Sequence, residues 1–235
     1  MKYLIKKIVQ LISQSIFKNQ SDIRNNLTDL IKGFLLKKEF DIISGNIDLD
    51  SQVYFDTNKS ESRGNLNYLE DQKISESYFI DKNLFFDKII KQNLSSIKAY
   101  LGNGFITEKV LFFRNYKISQ NLKTHDIYSN IWHQDSHDGF KLLKIFILLN
   151  DVTINDGPFV FLDRKTTIKN FNRLRERWSF ENLKELKEYE NEIKFVGKRG
   201  DYIVINTALC MHRASIPSNF RDMAQITIKP RWRPI

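Results

Sequence analysis

The chain has 235 residues and a single cysteine, Cys210. No intrachain disulfide can form and no zinc site can be built from several cysteines, so a reducing compartment, the cytoplasm, is the expected setting. Glycine and proline are scarce, 9 and 4 residues, which excludes a collagen-like, linker-like or disordered chain. No internal repeat or low-complexity linker is visible. No zinc-finger, RNP or helix-turn-helix pattern accompanies the net charge of +9, so nucleic acid is not an expected partner. The longest early apolar run, in MKYLIKKIVQLISQSIF, is broken by Lys6 and Lys7 and is too short to span a bilayer. No small-residue cleavage site follows it, so neither a transmembrane segment nor a signal peptide is expected. Its apolar positions Leu4, Ile5, Ile8, Leu11, Ile12 and Ile16 fit one face of a helix, packed on the domain or, in a minority reading, lying on a membrane surface.

Aromatics are plentiful, with 18 Phe, 9 Tyr and 3 Trp, and with the β-branched runs they favour a sheet-rich core. The length suits one domain, 1–235. Its first part, 1–105, reads as mainly helical, with residues 1–45 helical and a second apolar stripe through Leu27, Leu30, Ile31, Phe34 and Leu35. Residues 46–75 read as loops with a short strand at Gln52–Phe55. Leu84–Leu101 has helical spacing, stopped by Gly102 and Gly104.

The period then changes. Strands are expected at Lys109–Tyr116, Asn130–Asp135, Leu142–Leu149, Phe159–Leu162, Asp201–Ala208 and Met223–Lys229. Leu142–Leu149 is nearly all apolar, as a strand buried on both faces would be. The turn signal Asn155-Asp156-Gly157-Pro158 suggests that Phe159–Leu162 returns as a hairpin. Residues 166–192 read as a helical insertion in the 106–235 core. The expected class is α+β, with a jelly-roll core and N-terminal and inserted helices.

Histidine is also scarce, with 4 in the chain, and two of them stand in strand-like contexts. In His133-Gln134-Asp135 a strand sends residues i and i+2 to one face, so an imidazole and a carboxylate project together. His212, far downstream at the end of another strand, can supply a third ligand. Two histidines and one carboxylate on one face of a metal leave positions open, as in non-haem Fe(II) oxygenases. Arg221 leads into the last strand, where a guanidinium can clamp the far carboxylate of a 2-oxo acid through two parallel hydrogen bonds. Arg213 is a rival, but as the neighbour of His212 it points away from the metal. His137 lies beyond the strand as pocket lining, and the adjacent His125 and Asp126 read as surface. Lys141 and Lys144 could meet an anion, though lysines flanking buried strands usually extend to water. Cys210 reads as a small buried apolar residue.

Around these positions the chain resembles a known family. The stretches Trp132-His133-Gln134-Asp135-Ser136-His137, Leu143–Asp151 and Asp156-Gly157-Pro158-Phe159 are similar to the phytanoyl-CoA dioxygenase family of Fe(II)/2-oxoglutarate oxygenases. So are Gly200-Asp201-Tyr202, His212-Arg213 and Arg221, and the similarity spans about residues 109–230. The resemblance implies a double-stranded β-helix (a cupin-like jelly roll), with His133, Asp135 and His212 as ligands of Fe(II) and Arg221 as the residue holding 2-oxoglutarate. It implies a dioxygenase that uses O2 and hydroxylates a small molecule, with succinate and CO2 as co-products. In related halogenases a small residue replaces the carboxylate, and Asp135 is present here. The chain departs from the family in reading Leu162-Asp163-Arg164-Lys165 where a Pro-Gly-Ser-His-like turn is usual, beside the substrate pocket. The basic balance favours an anionic substrate. A second function from another class, a jelly-roll module that binds metal or ligand without catalysis, uses the same residues.

Overall fold

The computed structural model describes residues 40–81, 84–119, 121, 127, 129–135, 141–170 and 191–231. The two expected N-terminal helical stripes, His125, His137 and most of the expected insertion lie outside these residues. Strands are β1 (Ile43–Asn46), β2 (Asn65–Leu69), β3 (Gln72–Ile80), β4 (Phe105–Thr107), β5 (Val110–Tyr116) and β6 (Leu143–Leu148). They continue with β7 (Phe159–Phe161), β8 (Ile193–Phe195), β9 (Asp201–Ile205), β10 (His212–Ala214) and β11 (Phe220–Pro230). Helices are α1 (Thr57–Arg63), α2 (Leu84–Gln92), α3 (Leu94–Leu101) and α4 (Arg164–Asn170).

A large antiparallel sheet runs β1-β9-β6-β11-β5-β3-β2, with β4 paired to the end of β11. A small sheet runs β10-β7-β8. The alternation of side chains across each strand decides what the layers bury. On one face of the large sheet Leu143, Ile145 and Ile147 join Val110, Phe112, Ala224 and Ile226 against Phe86 and Ile89 of α2 and Ile97 of α3. On the other face Phe146, Leu148, Ile203 and Met223 meet Phe159, Phe161 and Phe195 of the small sheet. The strand β6 is thus apolar on both sides because both sides are covered. Burying aromatic side chains of this size stabilises by about 1.5–3 kcal/mol each, so the interlayer packing is the main force joining the sheets.

From β5 onward the chain crosses repeatedly between layers: β6 is in the large sheet, β7 and β8 in the small, β9 in the large, β10 in the small, β11 in the large. The expected hairpin of Phe159–Leu162 with the strand before it does not form, because β6 and β7 belong to different sheets. The turn at Asn155–Pro158 instead completes the passage between layers.

Other expectations are corrected in the first half. Residues 43–46 form a strand rather than helix, and Gln52–Phe55 is not a strand. The loops expected at 46–75 contain α1 and the β2–β3 hairpin. Its two-residue turn has positive φ at Glu70 (47°) and Asp71 (62°), a mirror-image turn that normally advertises itself as Asn-Gly. With β2 almost wholly exposed and Ser75 and Glu76 buried in β3, neither strand shows apolar alternation. The helical spacing at Leu84–Leu101 is realised as two helices, α2 and α3, ended at Gly102 with φ 98°. Asn93 breaks them by donating its side-chain amide to the Ile89 carbonyl (2.9 Å). Of the expected insertion, α4 is described, beginning at Arg164.

Candidate functional site

Residues 130–135 do not form the continuous strand expected of them. His133 makes a single bridge with His212, the first residue of β10, and so adds to the edge of the small sheet. The two residues exchange both main-chain hydrogen bonds, His133 N to His212 O and His212 N to His133 O, each 3.0 Å. A pair bonded in this way sets its side chains side by side, and the ring centroids stand 4.2 Å apart. Two residues on, Asp135 N donates to Thr207 O (3.1 Å), which turns the carboxylate toward the same point. Ligand atoms of His133, Asp135 and His212 all lie within 4.8 Å of one another.

The imidazoles are oriented by their own main chain. His133 Nδ1 donates to the Ile131 carbonyl (2.8 Å) and His212 Nδ1 to the Cys210 carbonyl (3.0 Å). A carbonyl can only accept, so Nδ1 carries a proton in each ring, and in the neutral ring Nε2 presents a lone pair. His212 Nε2 faces Asp135 Oδ2 at 3.4 Å. Two acceptors at that distance call for a cation between them, and two imidazole nitrogens with one carboxylate are the donors a first-row divalent metal takes. His212 and Asp135 are 4% and 6% exposed. Burial opposes ionisation of Asp135, but the positive charge of His212 carrying a proton on Nε2, in the place a metal would take, and then that of Lys144 outweigh it and hold the carboxyl well below the usual carboxylate range.

Lys144 is the residue that the sequence reading named for an anion and then assigned to water. It does not extend to water; its Nζ lies 2.8 Å from Asp135 Oδ2, and the side chain is 14% exposed. The signal was its place in Leu142–Leu149, where one lysine interrupts an apolar run: a cation on a covered strand needs a partner.

Arg221 enters from the large sheet at the start of β11. It lies across from Asn115, on the face that two residues later carries Met223 into the interlayer core. It is 1% exposed and donates through Nη1 to the Gly157 carbonyl. Gly157 has φ 67°, and a Cβ there would meet Pro217 N at 2.4 Å, so only glycine fits the turn that presents this carbonyl. The rival Arg213 lies over the Trp132 ring at 5.1 Å and reaches Glu192 at 3.4 Å. Arg114 is committed to Asp222 through two short bonds of 2.6 and 2.7 Å. Cys210 is buried.

No protein-family model matches the chain, and no curated protein sequence matches it. Solved structures do. HygX from Streptomyces hygroscopicus, crystallised with nickel, 2-oxoglutarate and hygromycin B, is 15% identical, with a TM-score of 0.50 over 82% of this chain and 85% of that one. The epimerase SnoN, in complex with Fe3+, alpha ketoglutarate and nogalamycin RO, is 10% identical, with a TM-score of 0.51 over 88% of this chain and 87% of that one. The likeness is one of fold, the cupin-like arrangement of facing antiparallel sheets.

Proposed function

We propose that this chain is an Fe(II)- and 2-oxoglutarate-dependent dioxygenase that hydroxylates a small molecule. The observation that carries the reading is the meeting of the His133, His212 and Asp135 ligand atoms within 4.8 Å, with each Nδ1 engaged by a main-chain carbonyl so that Nε2 faces the cluster. The alternation of the chain between layers supports a double-stranded β-helix and an α+β class, with 1–235 as one domain. The fold neighbours HygX and SnoN, seen with a metal and 2-oxoglutarate or alpha ketoglutarate, support the cofactor assignment. The motif stretches around His133 and His212 support a relation to the phytanoyl-CoA dioxygenase kind. The lone buried Cys210 suits the cytoplasm, and the basic balance suits an anionic substrate.

In this reading the ferrous ion supplies O2 activation: one oxygen atom enters a substrate C–H bond, the other enters succinate, and CO2 leaves. The protein's residues do the rest. His133, Asp135 and His212 would hold the ion, with coordination positions left for co-substrate and O2. Arg221 receives the distal carboxylate of 2-oxoglutarate from the large sheet. The aromatic packing of Phe146, Phe159 and Phe161 keeps bulk water from the interlayer space.

Succinate formation in the presence of Fe(II), 2-oxoglutarate and O2 is the test. It is expected from the unmodified chain and is expected to vanish in His133→Ala and His212→Ala, together with Fe(II) binding measured by calorimetry. Undiminished succinate formation in either variant would falsify the assignment, and metal binding without any turnover would favour a non-catalytic binding module.

A further inference from the structure

We propose that Lys144 is the receptor for a single anionic group on the substrate, at the floor of a cleft that takes an amphipathic small molecule. The inference deepens the dioxygenase reading and rests on it for the identity of the metal and co-substrate.

The cleft, about 390 Å³, opens on the face of the large sheet across β6, β11, β5 and β3, within the usual range for small-molecule sites. Register puts its lining on one face. Phe79 lies across from Leu111, Leu111 across from Gln225, and Thr227 across from Lys144. This is the face that carries Phe146 and Met223 toward the small sheet, and Lys144, which lines the cleft, reaches Asp135 of the ligand cluster. Phe79 and Leu111 supply its apolar wall, and Phe79 is 57% exposed, an aromatic surface open to a ligand. At the rim, Lys109 pairs with Asp81 (2.9 Å) and Lys229 with Glu108 (2.5 Å). Lys144 differs from both, because its carboxylate partner is the proposed metal ligand Asp135.

Charge accounting then gives the polarity of the ligand. Once a divalent metal takes the Asp135 carboxylate, Lys144 faces a cationic centre and its ion pair loses most of its attraction. A ferrous ion (+2), Asp135 (−1), 2-oxoglutarate (−2), Arg221 (+1) and Lys144 (+1) leave one positive charge unmatched in a buried setting, where that is costly. A substrate bearing one carboxylate, sulfonate or phosphate-type charge closes the balance, with its apolar body over Phe79 and Leu111. Loading of the metal therefore releases Lys144 from Asp135 and makes it an anion receptor, which orders binding: metal and co-substrate first, substrate second.

The experiment uses the full chain loaded with Zn(II), which accepts the same donors without redox chemistry. Calorimetric titrations with 3-phenylpropane-1-sulfonate, a poor metal ligand, and with the neutral 3-phenylpropan-1-ol are run with and without 2-oxoglutarate. The sulfonate is expected to bind the unmodified chain at least tenfold more tightly than the alcohol. Lys144→Met should erase that preference while Zn(II) affinity is kept or raised, and Lys144→Arg should restore most of it. A Lys144→Met protein that binds the sulfonate within twofold of the unmodified chain overturns the proposal, as does equal or absent binding of both probes by the unmodified chain. Absence of 2-oxoglutarate binding, with the Lys144-dependent preference intact, instead sinks the cofactor reading and the one-charge count and leaves Lys144 standing as the anion receptor.

Discussion

At the scale of single residues, the site depends on where each polar atom has already spent its bonds. Both imidazoles have given their Nδ1 protons to carbonyls two positions back, so nothing else need turn them. Asp135 was legible because its spacing from His133 is short, and His212 because few histidines compete for the role. Arg221→Ala is expected to raise the 2-oxoglutarate concentration needed for half-maximal succinate formation by several hundred-fold, from a loss of about 2–5 kcal/mol. Fe(II) binding should survive, and a titration showing an ordinary 2-oxoglutarate requirement would move the clamp elsewhere. Lys144 was legible as a candidate for an anion but not as a neighbour of Asp135. A lysine's four-carbon stem lets it reach water from most covered positions, and only the folded register shows Asp135 lying nearer than solvent.

At the scale of elements, strands buried on both faces announced themselves and strands carrying polar groups inward did not. The β3 strand holds Glu76 fully buried, where it accepts from Ser60 Oγ (2.5 Å) and from the Tyr116 hydroxyl and pairs with Lys73 (2.9 Å). This network ties α1 and β5 to β3 yet reads in sequence as a surface stretch. Burial alone would raise the Glu76 pKa, but the bonds from Ser60, Tyr116 and Lys73 outweigh it and lower it. A depressed folded-state pKa adds stability that is complete above the unfolded carboxyl pKa of about 4.3 and is lost as pH falls through the lower folded value. Glu76→Ala should therefore destabilise the protein by about 2 kcal/mol at pH 7, with a smaller difference in acid, read by urea unfolding at several pH values. A constant difference from pH 7 to pH 3 would remove the charge from the explanation. The β6–β7 hairpin misled for another reason: a strong turn signal says that the chain reverses, not which sheet receives it.

At the scale of the whole molecule, the bridge between His133 and β10 puts the two imidazoles on the small sheet, while Lys144 and Arg221 belong to the large one. A metal held at a hundred times its dissociation constant should stabilise the folded chain by about 2.7 kcal/mol. That corresponds to a Tm rise of roughly 5–10 °C for a domain of this size. The rise should disappear with a chelator and be absent in His212→Ala, as followed by calorimetric melting. Among the described residues no helix is long and apolar enough to cross a membrane. The two-layer division also acts as a calliper. In the proposed reading, an oxo-diacid held at one end on the small sheet and at the other by Arg221 would have to match the layer spacing, which the Phe146 and Phe159 rings, 4.6 Å apart, help to set. One methylene more or less in the diacid leaves an end unheld, so trimming Phe159 to leucine should change which chain length is accepted.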